Sequence, residues 1–303
     1  MNRVFPRGLV MSACLISLFS VTAQVVMPDF NKIEVKTHAL RNGIYMLEGF
    51  GGNIGVSVGE DGTLLVDDQY APLSAKVLDA LSKLSPNKVK YVLNTHHHAD
   101  HTGGNENFGK RGALIVAHEG AREHLIQEML AERRPSTAPL SNVALPVLTF
   151  NDRMTFHLNG ETIEVFHVKS AHTDSDVVVY FRNSNIVHTG DTYFNGVYPF
   201  IDVKSGGSIN GMIQLYSQLV EIMNEDTLII PGHGPVSDIE EMRSYQALLS
   251  DIRDRVAKGM KNGKSLDELI NENILDDLDS VWGQDFVKSS DMIKMTYHSL
   301  SIR

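Results

Sequence analysis

Residues 95–105 read THHHADHTGGN, and this segment constrains the fold more than any other part of the chain. It places four histidines and one aspartate within six positions, a combination of ligand types that is typical of metal sites. The preceding residues 88–94 (KVKYVLN) are apolar and β-branched enough to predict a buried strand. The histidines should therefore lie at the C-terminal end of a strand, where open α/β sheets place their ligands.

The spacing of these histidines indicates a metal site and not a polar patch on the surface. His96 and His98 are two residues apart, so both imidazoles point to the same side of an extended segment and can bind one ion. Asp100 and His101 follow where the chain turns, and they offer a carboxylate and an imidazole to a second ion. His97 should point away from the first ion. Nitrogen and oxygen ligands favour zinc, with iron or manganese as alternatives.

Alternation of apolar residues and turn signals predict the order of strands and helices. Strands are predicted at residues 45–48, 54–58, 63–67, 88–94, 113–117, 154–158, 162–168, 176–181 and 186–188. Helices are predicted at residues 73–84, 119–133, 212–223 and 239–260, with an irregular proline-containing loop at 131–146. This alternation is typical of an α/β protein with sheets covered by helices.

Residues 96–101 resemble the His-x-His-x-Asp-His motif that defines the metallo-β-lactamase superfamily. Other segments resemble the remaining motifs of that family, in the family's order: residues 64–67 (LLVD), 171–174 (AHTD), 189–191 (TGD) and 231–234 (PGHG). The resemblance runs from residue 45 to residue 235. It implies an α/β fold in which four layers form an αβ/βα sandwich.

The resemblance also implies two metal ions and assigns their ligands. The ligands of the first ion would be His96, His98 and His172. The ligands of the second ion would be Asp100, His101 and His233. Asp191 would bridge the two ions or bind the second one. Asp67, at the end of the LLVD strand, would support residues 95–105, the metal loop, without binding an ion itself.

Two of these assignments have competitors, and one further histidine, His188, is a candidate for contact with the site. His167 lies in a strand-like segment and competes with His172, but we prefer His172 because a polar turn aims a ligand more easily. His188 alternates with apolar neighbours, which is typical of a hydrogen-bonded histidine in the core. Asp68 competes with Asp67, and only the resemblance favours Asp67.

The predicted function is that of a dinuclear zinc hydrolase. Two close divalent ions lower the pKa of a shared water from about 15.7 toward roughly 7, and so supply a metal-bound hydroxide at neutral pH. The hydroxide would attack a carbonyl carbon of a β-lactam-like cyclic amide, a lactone or an ester. Asp100 would be the catalytic residue that orients the nucleophile and later carries a proton to the leaving group. The only cysteine, Cys14, lies in the predicted leader, which excludes a cysteine mechanism.

Two loops are candidates for substrate contact. Residues 49–53 (GFGGN) resemble the flexible flap that covers the metals in dinuclear metallo-β-lactamases, with Phe50 at the apolar tip and Asn53 at the end. An ordinary glycine-rich hairpin is the alternative. Residues 193–208, which include Phe194, would either line a pocket with aromatic side chains or cover the core. In that group of β-lactamases a cysteine stands at the position of Asp191 and a substrate-binding lysine at that of Phe194, so this chain lacks the usual carboxylate anchor.

Three alternative functions remain open. Hydroxyacylglutathione hydrolases share the THHHxDH segment and an aspartate at the position of Asp191, which favours a thioester hydrolase of the glyoxalase type. Their basic C-terminal glutathione-binding region has no clear counterpart, because residues 276–279 are acidic (DDLD). The second alternative is an iron-dependent oxygenase or oxidoreductase on the same scaffold. The third is a metal-stabilised binding protein, which a complete ligand set with room for water disfavours.

The N-terminus predicts a secretory signal peptide at residues 1–23. Arg3 and Arg7 precede the apolar residues 8–21, and small residues follow up to Ala23. Cleavage there would leave a periplasmic or secreted protein without stable membrane insertion, since the apolar stretch is short for a membrane span. An uncleaved anchor and lipidation at Cys14 are the alternatives. Residues 24–303 would form one hydrolase domain, with a helical C-terminal portion at 241–303.

The charge of the chain narrows the class of partner. The formal net charge is −10, and no run of basic residues is present. Affinity for a phosphate backbone comes largely from Lys and Arg, so a nucleic-acid substrate is excluded and a small-molecule substrate is predicted. The sequence carries no signal for an oligomeric state.

Overall fold

The computed structural model describes residues 27–131 and 141–302. The predicted signal peptide and Cys14 lie outside these ranges, as does most of the irregular loop predicted at 131–146. Within the described ranges, no helix has both the length and the apolar character needed to cross a membrane.

The first sheet begins near the N-terminal end of the described residues and contains seven of their strands. Its strands are β1 (Lys36–Ala39), β2 (Ile44–Glu48), β3 (Ile54–Gly59), β4 (Gly62–Val66), β5 (Val89–Leu93), β6 (Leu114–His118) and β7 (Leu148–Phe150). They lie in the order of the sequence. Neighbours from β1 to β4 are antiparallel, and neighbours from β4 to β7 are parallel. The parallel half brings the C-terminal ends of β4 and β5 to one edge.

The second sheet is built from the following part of the chain and has five strands among the described residues. Its strands are β8 (Arg153–Leu158), β9 (Glu161–Val168), β10 (Asp176–Phe181), β11 (Ile186–Phe194) and β12 (Leu228–His233). The spatial order is β12-β11-β10-β9-β8. Strands β8 to β11 form an antiparallel meander, and β12 pairs with β11 in parallel. Every residue of β10 and β11 is buried, which agrees with the continuous apolar run VVVYF of β10, whereas β11 carries the polar residues of the TGD motif.

Helices cover the outer faces of both sheets. The α-helices of the described residues are α1 (Ser74–Leu84), α2 (Ala99–Thr102), α3 (Asn105–Gly109), α4 (Glu119–Leu130), α5 (Ile209–Ile222), α6 (Ile239–Lys261), α7 (Leu266–Asn271), α8 (Asp276–Trp282) and α9 (Ser289–Ser301). Helix α6 begins at a strong N-cap, since the Asp238 carboxylate accepts hydrogen bonds from the backbone N–H groups of Glu240 and Glu241.

The apolar residues form three cores that define four layers. Between the sheets, Leu64 and Val66 of β4 belong to the same core as Val177 of β10. Leu65 points to the opposite face of β4, where it packs with Val77 of α1, as the two-residue period of a strand requires. On the far side of the second sheet, residues of β10 and β11 pack against α5, α6 and α9. The predicted four-layer αβ/βα sandwich is confirmed.

Sequence patterns and observed elements differ mainly at the edges and the C-terminus. Strands β1 and β7 at the edges of the first sheet, and the short helices α2 and α3, were not predicted. Helices α7 to α9 lie in the predicted helical portion at 241–303, although their separate bounds were not predicted. The strand predicted at residues 186–188 continues as β11 to Phe194, because this segment pairs with β12 through an irregular register. The added length carries the TGD motif into the sheet, so Asp191 is a strand residue and not a loop residue.

Candidate metal centre

The first group of potential ligands joins the two sheets. His96 and His98 follow β5 in the first sheet, His172 lies in the turn between β9 and β10, and Asp191 lies in β11. Each offers one nitrogen or oxygen atom, and these atoms lie within 4.8 Å of one another. His98 Nδ1 lies 2.9 Å from His172 Nε2. The structure therefore brings together the residues that the resemblance assigned to the first ion.

The second group lies beside the first. Asp100 and His101 come from the short helix α2, and His233 is the last residue of β12. With Asp191 they form a set whose ligand atoms are again within 4.8 Å of one another. His233 Nε2 lies 3.3 Å from Asp100 Oδ2, and His101 Nε2 lies 3.6 Å from the same oxygen. This set contains the residues assigned to the second ion.

Asp191 belongs to both groups, and each of its oxygens faces a different one. Oδ2 lies 3.6 Å from His172 Nε2 and 3.8 Å from His96 Nε2. Oδ1 lies 2.9 Å from His101 Nε2 and 3.4 Å from His233 Nε2. A carboxylate placed in this way can bind two ions at once, so the structure favours the bridging alternative for Asp191.

A backbone irregularity in β11 sets the direction of Asp191. The register between β11 and β12 shifts around Gly190, which has a φ of +51°. A Cβ atom at Gly190 would lie 2.6 Å from the Thr95 side chain, so only glycine fits against the metal loop there. Bulges of this kind re-aim side chains next to active sites. The glycine of the TGD motif is therefore explained by close approach and by backbone conformation.

Buried polar atoms without partners show that the residues fit a metal ion. His96 Nε2, His101 Nε2 and Asp191 Oδ1 are buried, and within the described residues none of them has a hydrogen-bond partner. His101 Nε2 and Asp191 Oδ1 are close to each other but do not have hydrogen-bond geometry. Buried polar atoms are rarely left unsatisfied because each costs about 1–3 kcal/mol. These three all point into the two ligand groups, where divalent cations would satisfy them.

Asp67 supports the metal loop through hydrogen bonds. It follows β4 and is fully buried. Its carboxylate accepts hydrogen bonds from Thr95 N and Thr95 Oγ1, each at 2.7 Å, and lies 2.7 Å from His101 Nδ1. Because His101 Nε2 faces the ligand group, the ring proton belongs on Nδ1 and is donated to Asp67. Asp68 instead accepts a hydrogen bond from Gly104 N, so the geometry favours Asp67 as the supporting residue.

Two further contacts fix the rings of the first group. His98 Nε2 donates to Asp202 Oδ2 at 3.1 Å, which leaves Nδ1 facing His172. His172 Nδ1 donates to the Phe200 carbonyl oxygen at 2.7 Å, which leaves Nε2 facing the group. Carboxylates and carbonyls in these positions select the tautomer that binds a metal. Asp202 also lies near His97, and these two residues with His98 form a third acidic and imidazole cluster.

The turn that carries His172 is fastened by Asp176, the first residue of β10. Its carboxylate accepts hydrogen bonds from His172 N at 2.7 Å, Thr173 N at 2.9 Å and Thr173 Oγ1 at 2.5 Å. Burial raises the pKa of Asp176 to about 7, against the effect of these hydrogen bonds. Asp176 therefore places a metal ligand although it is not one itself.

Charges in the second group compensate one another. Burial lowers the pKa of His101, but Asp191, Asp100 and Asp67 outweigh it and raise that pKa well above its ordinary value. Burial likewise lowers the pKa of His233, and Asp191 and Asp100 raise it to about 9. Burial raises the pKa of Asp100, but the two imidazoles bring it down to about 2. Here protons on imidazoles balance the carboxylates, and divalent cations would replace those protons.

The first group is less charged. Burial is the main cause that lowers the pKa of His96 well below its ordinary value and the pKa of His172 to about 4. Both imidazoles are therefore neutral at pH 7, which is the form that binds a metal. Burial also lowers the pKa of His98, but the hydrogen bond to Asp202 outweighs it and raises the value.

The competing histidines lie outside the two ligand groups. His167 stacks on His118 with ring centroids 3.8 Å apart, and its Nδ1 lies 3.0 Å from the Asp176 carbonyl oxygen. His188 accepts a hydrogen bond from Gly190 N, as expected for a hydrogen-bonded histidine of the core.

His97 points away from the first group, toward helix α4. Its ring stacks on His124 of that helix, with centroids 4.2 Å apart. The sequence predicted this direction.

The loop at residues 49–53 is packed onto the metal loop. Gln69 Nε2 donates to the Gly52 carbonyl oxygen at 2.8 Å, and Gly52 N donates to the Asp100 carbonyl oxygen at 3.2 Å. The buried Asn53 side chain donates to the carbonyl oxygens of Pro231 and Gly234. These contacts agree with the alternative of an ordinary glycine-rich connection rather than a free flap. Asn53 thus joins two loops and does not face a substrate.

Phe50 is the one aromatic residue of this loop, and its ring is half-buried. It stacks on Tyr70, with centroids 5.9 Å apart, and meets Phe30 edge-on at 6.0 Å. The tip of the loop therefore belongs to a small aromatic cluster at the margin of the metal centre.

Phe194 lies in a strand and not in the predicted substrate loop, which agrees with the alternative that these aromatics cover the core. It is the last residue of β11, it is fully buried, and it stands opposite His233 in the register of β11 and β12. Its ring stacks on the His233 imidazole with centroids 5.1 Å apart and an interplanar angle of 5°. Phe194 therefore supports a metal ligand and lies beneath the surface that a substrate would reach.

Sequence reasoning missed three residues that shape the centre: Asp176, Asp202 and Phe286. Asp176 had a local signal, since a carboxylate at the start of the apolar strand β10 needs hydrogen-bond donors. Asp202 and Phe286 had none, because they meet His98 and His233 only through the tertiary fold.

Comparison with known proteins places these motifs in a family. The family described as the metallo-beta-lactamase superfamily matches residues 47–251. A hydroxyacylglutathione hydrolase of Pelagibacter ubique is 29% identical over 149 residues, which cover 48% of this chain and 52% of that protein. A metallo-beta-lactamase type 2 of Bacillus cereus is 24% identical over 179 residues, which cover 58% of this chain and 64% of that protein. The chain thus spans about half to two thirds of the length of these curated relatives.

Solved structures share the fold. The crystal structure of the DIM-1 metallo-beta-lactamase superposes with a TM-score of 0.60 at 18% sequence identity, and covers 72% of this chain and 99% of that one. At this identity the likeness concerns the fold alone. The part of the chain that follows residue 251, which contains α7 to α9, lies beyond the family match.

Proposed function

The chain belongs to the metallo-β-lactamase superfamily, and on that basis we propose that it is a metal-dependent hydrolase with a dinuclear zinc centre. The observation that carries the proposal is the position of Asp191, whose two oxygens face two separate groups of histidines. The donors are imidazole nitrogens and carboxylate oxygens, a set that suits zinc and also admits iron or manganese. When bound, two such ions would lower the pKa of a water and polarise a carbonyl oxygen.

The protein's own contribution is to place and orient groups around a carbonyl substrate. Asp100 is one of the ligand-group side chains that reach solvent, with 20% of its side chain exposed. Its carboxylate lies 3.3 Å from His233 Nε2, where it can orient a nucleophile and afterwards pass a proton to the leaving group. Asp67, Asp202 and the Phe200 carbonyl oxygen hold the imidazoles in fixed tautomers. The centre is thereby preorganised, which is what this type of catalysis requires.

We propose a cyclic amide, a lactone or an ester as the substrate class. One relative is named a metallo-beta-lactamase, which supports the cyclic amide. Another is named a hydroxyacylglutathione hydrolase, which supports a thioester hydrolase as the second candidate function. Two features count against an anionic β-lactam: the lysine that would anchor its carboxylate is replaced by Phe194, and that phenylalanine is fully buried. An uncharged lactone or ester therefore fits this chain better.

Export remains part of the proposal. The predicted signal peptide at residues 1–23 would place the enzyme in the periplasm or outside the cell. The intact mass of protein recovered from the periplasm or medium tests this, since cleavage near Ala23 removes the predicted leader, whereas an unprocessed mass contradicts it.

The deciding experiment combines metal analysis with a substrate panel on one sample of the protein. We expect about two zinc ions per chain and chelator-sensitive hydrolysis of one class among β-lactam, lactone, ester and thioester substrates. Hydrolysis of thioesters alone would select the second candidate function. Stoichiometric iron with no hydrolysis would refute the hydrolase proposal and favour an oxygen-dependent enzyme, because zinc has no redox chemistry.

A further inference from the structure

Three of the metal-ligand side chains reach solvent, and they define the side from which a substrate approaches. His98 and Asp100 are each 20% exposed and His233 is 21% exposed, whereas the other ligand side chains are at most 5% exposed. A substrate that contacts the centre must therefore lie over these three side chains. The groups that surround them decide which substrates fit.

An aromatic surface extends from the core to solvent beside His233. Phe194 lies under the imidazole and is fully buried. The ring of Phe286 lies 6.4 Å from the His233 ring and 6.4 Å from the Phe194 ring, and the residue is 36% exposed. Phe286 thus continues the surface of Phe194 outward, next to the most exposed ligand. It is one of the few large apolar residues that the fold leaves facing water.

The segment that carries Phe286 is held firmly between α8 and α9. Its neighbour Val287 is buried in the core on the outer face of the second sheet. Lys288 Nζ donates to the Gly283 carbonyl oxygen at 2.9 Å across the segment. At its start, the Trp282 carbonyl oxygen accepts a hydrogen bond from Tyr198 N at 2.9 Å. Phe286 is therefore fixed in place by its flanks, although the segment lies beyond the family match.

Aromatic rings also lie beside the other two exposed ligands. The Phe200 ring lies 6.0 Å from the His98 ring. Near Asp100, Gly51 lies between the metal loop and the stacked rings of Phe50 and Tyr70. A Cβ atom at Gly51 would lie 3.0 Å from Asp100 Cβ and 3.2 Å from Tyr70 Cδ2. Aromatic rings thus lie beside His98 and His233, and the cluster of Phe50 and Tyr70 lies across Gly51 from Asp100.

The three exposed ligand side chains pair with imidazoles and carboxylates. Among residues 27–131 and 141–302, no Lys or Arg makes an ion pair or a hydrogen bond with the side chains of His98, Asp100 or His233. The contacts of these three side chains therefore include no Lys or Arg that could anchor a substrate carboxylate or phosphate away from its reacting carbonyl. An apolar group, by contrast, would be removed from water against the rings.

From these contacts we propose that Phe286 forms the wall of the substrate site over His233 and selects substrates that carry an uncharged aryl or alkyl group. The inference rests on the proposed hydrolase function and deepens it by naming the substrate class. It also gives the C-terminal part of the chain a direct role in specificity, through a residue that the family match does not include.

The test compares substrates in matched pairs on the zinc-loaded full-length chain. One pair varies the acyl side, methyl acetate against methyl phenylacetate, and one varies the leaving side, methyl acetate against benzyl acetate. In at least one pair, Phe286→Ala should lower kcat/KM about tenfold for the phenyl-bearing member. The smaller member should change less than about threefold, since it does not reach the wall.

Two further variants separate recognition from folding. Phe286→Leu keeps an apolar wall and should retain most of the preference, and Phe286→Lys should raise the relative rate for a carboxylate-bearing ester. Val281→Ala is the control, since Val281 is another exposed apolar residue of the same C-terminal part, in α8. Unchanged pair ratios in Phe286→Ala and Phe286→Lys would overturn the inference.

A binding measurement keeps this test distinct from that of the proposed function. Calorimetry compares the affinity of the zinc-loaded protein for phenylacetate and acetate, which requires no turnover. Wild-type protein should bind phenylacetate more tightly, and Phe286→Ala should remove most of that difference. If no substrate is hydrolysed but the binding ratio falls, the hydrolase proposal fails and the aromatic wall stands. If hydrolysis is found and the ratio is the same in both proteins, the wall fails alone.

Discussion

Replacing Asp67 with asparagine should selectively weaken the second metal site. The change preserves shape, and asparagine tolerates the left-handed backbone conformation that Asp67 adopts at a φ of +67°. It alters the hydrogen bonds instead. The carboxylate now lies 2.7 Å from His101 Nδ1 and accepts that ring's proton. An amide nitrogen in this position would donate to Nδ1 and move the ring proton to Nε2, the atom that must bind the ion.

The size of the effect follows from the role of such partners. Losing a hydrogen-bonded residue behind a metal-binding histidine costs about 10- to 100-fold in metal affinity. This corresponds to about 1.4–2.8 kcal/mol. The Thr95 N–H can still donate to the remaining amide oxygen, so the loop should stay folded. The loss should therefore fall on the ion held by His101, His233 and Asp100, and not on the first ion.

The assay is a competitive zinc titration against a chromophoric chelator, which resolves two binding steps. The matched control is Asp68→Asn, which alters the adjacent buried carboxylate, whose Oδ1 accepts a hydrogen bond from Gly104 N. Asp67→Asn should weaken one step at least tenfold and leave the other within about threefold of wild type. If both steps keep their wild-type affinity, Asp67 does not set the His101 tautomer. If Asp68→Asn gives the same loss, the effect belongs to the loop and not to this hydrogen bond.

Three further predictions concern the loop at residues 49–53, the start of helix α4 and the proposed catalytic residue. Gly52→Ala should weaken the second zinc site, because a Cβ there would lie 2.1 Å from His101 Cε1; unchanged zinc stoichiometry and affinity would contradict the close packing. His118→Ala should reduce the loss of folding free energy on acidification. Neutral His118 Nδ1 accepts a hydrogen bond from Gly120 N, and burial and His167 lower the pKa of His118 in the folded protein. The stability that neutral His118 contributes is therefore complete above about pH 6.5 and is lost as the pH falls below that value. Denaturant unfolding at two pH values checks this, and parallel losses in both proteins would refute it. Asp100→Ala should abolish turnover while the first zinc ion stays bound, and near-normal hydrolysis by that variant would remove its assigned role.

Local spacing predicted four of the candidate ligands because they lie in one short segment, whereas His172, Asp191 and His233 came from the family resemblance. His96, His98, Asp100 and His101 are close in sequence, so the period of a strand and one following turn already bring them to one side. Strands of the two sheets were predictable for the same reason, since alternation of apolar residues is a local signal. The overall layering then followed from the resemblance and is confirmed by the three cores.

Contacts between distant segments were not predictable. The sequence around Phe194 predicted a loop, but the irregular pairing of β11 with β12 buries Phe194 under His233. The loop at residues 49–53 is rich in glycine because it packs closely on His101 and Asp100, whereas the sequence left a flexible flap and an ordinary hairpin both open. In each case a tertiary contact, and not the local propensity of the segment, decides the role of the residue.

The position of the centre follows from the two parallel strand pairs. Carboxyl ends of parallel strands meet at one edge of a sheet, where ligands bind in open α/β folds. In the first sheet β4 and β5 run parallel, and they lead into Asp67 and His96. In the second sheet β11 and β12 run parallel, and they carry Asp191 and His233. Because the sheets pack face to face, both edges supply donors to the same space. Asp191 can therefore contact both ligand groups only where the two sheets meet. The predicted dinuclear centre thus depends on the packing of the two sheets in the sandwich.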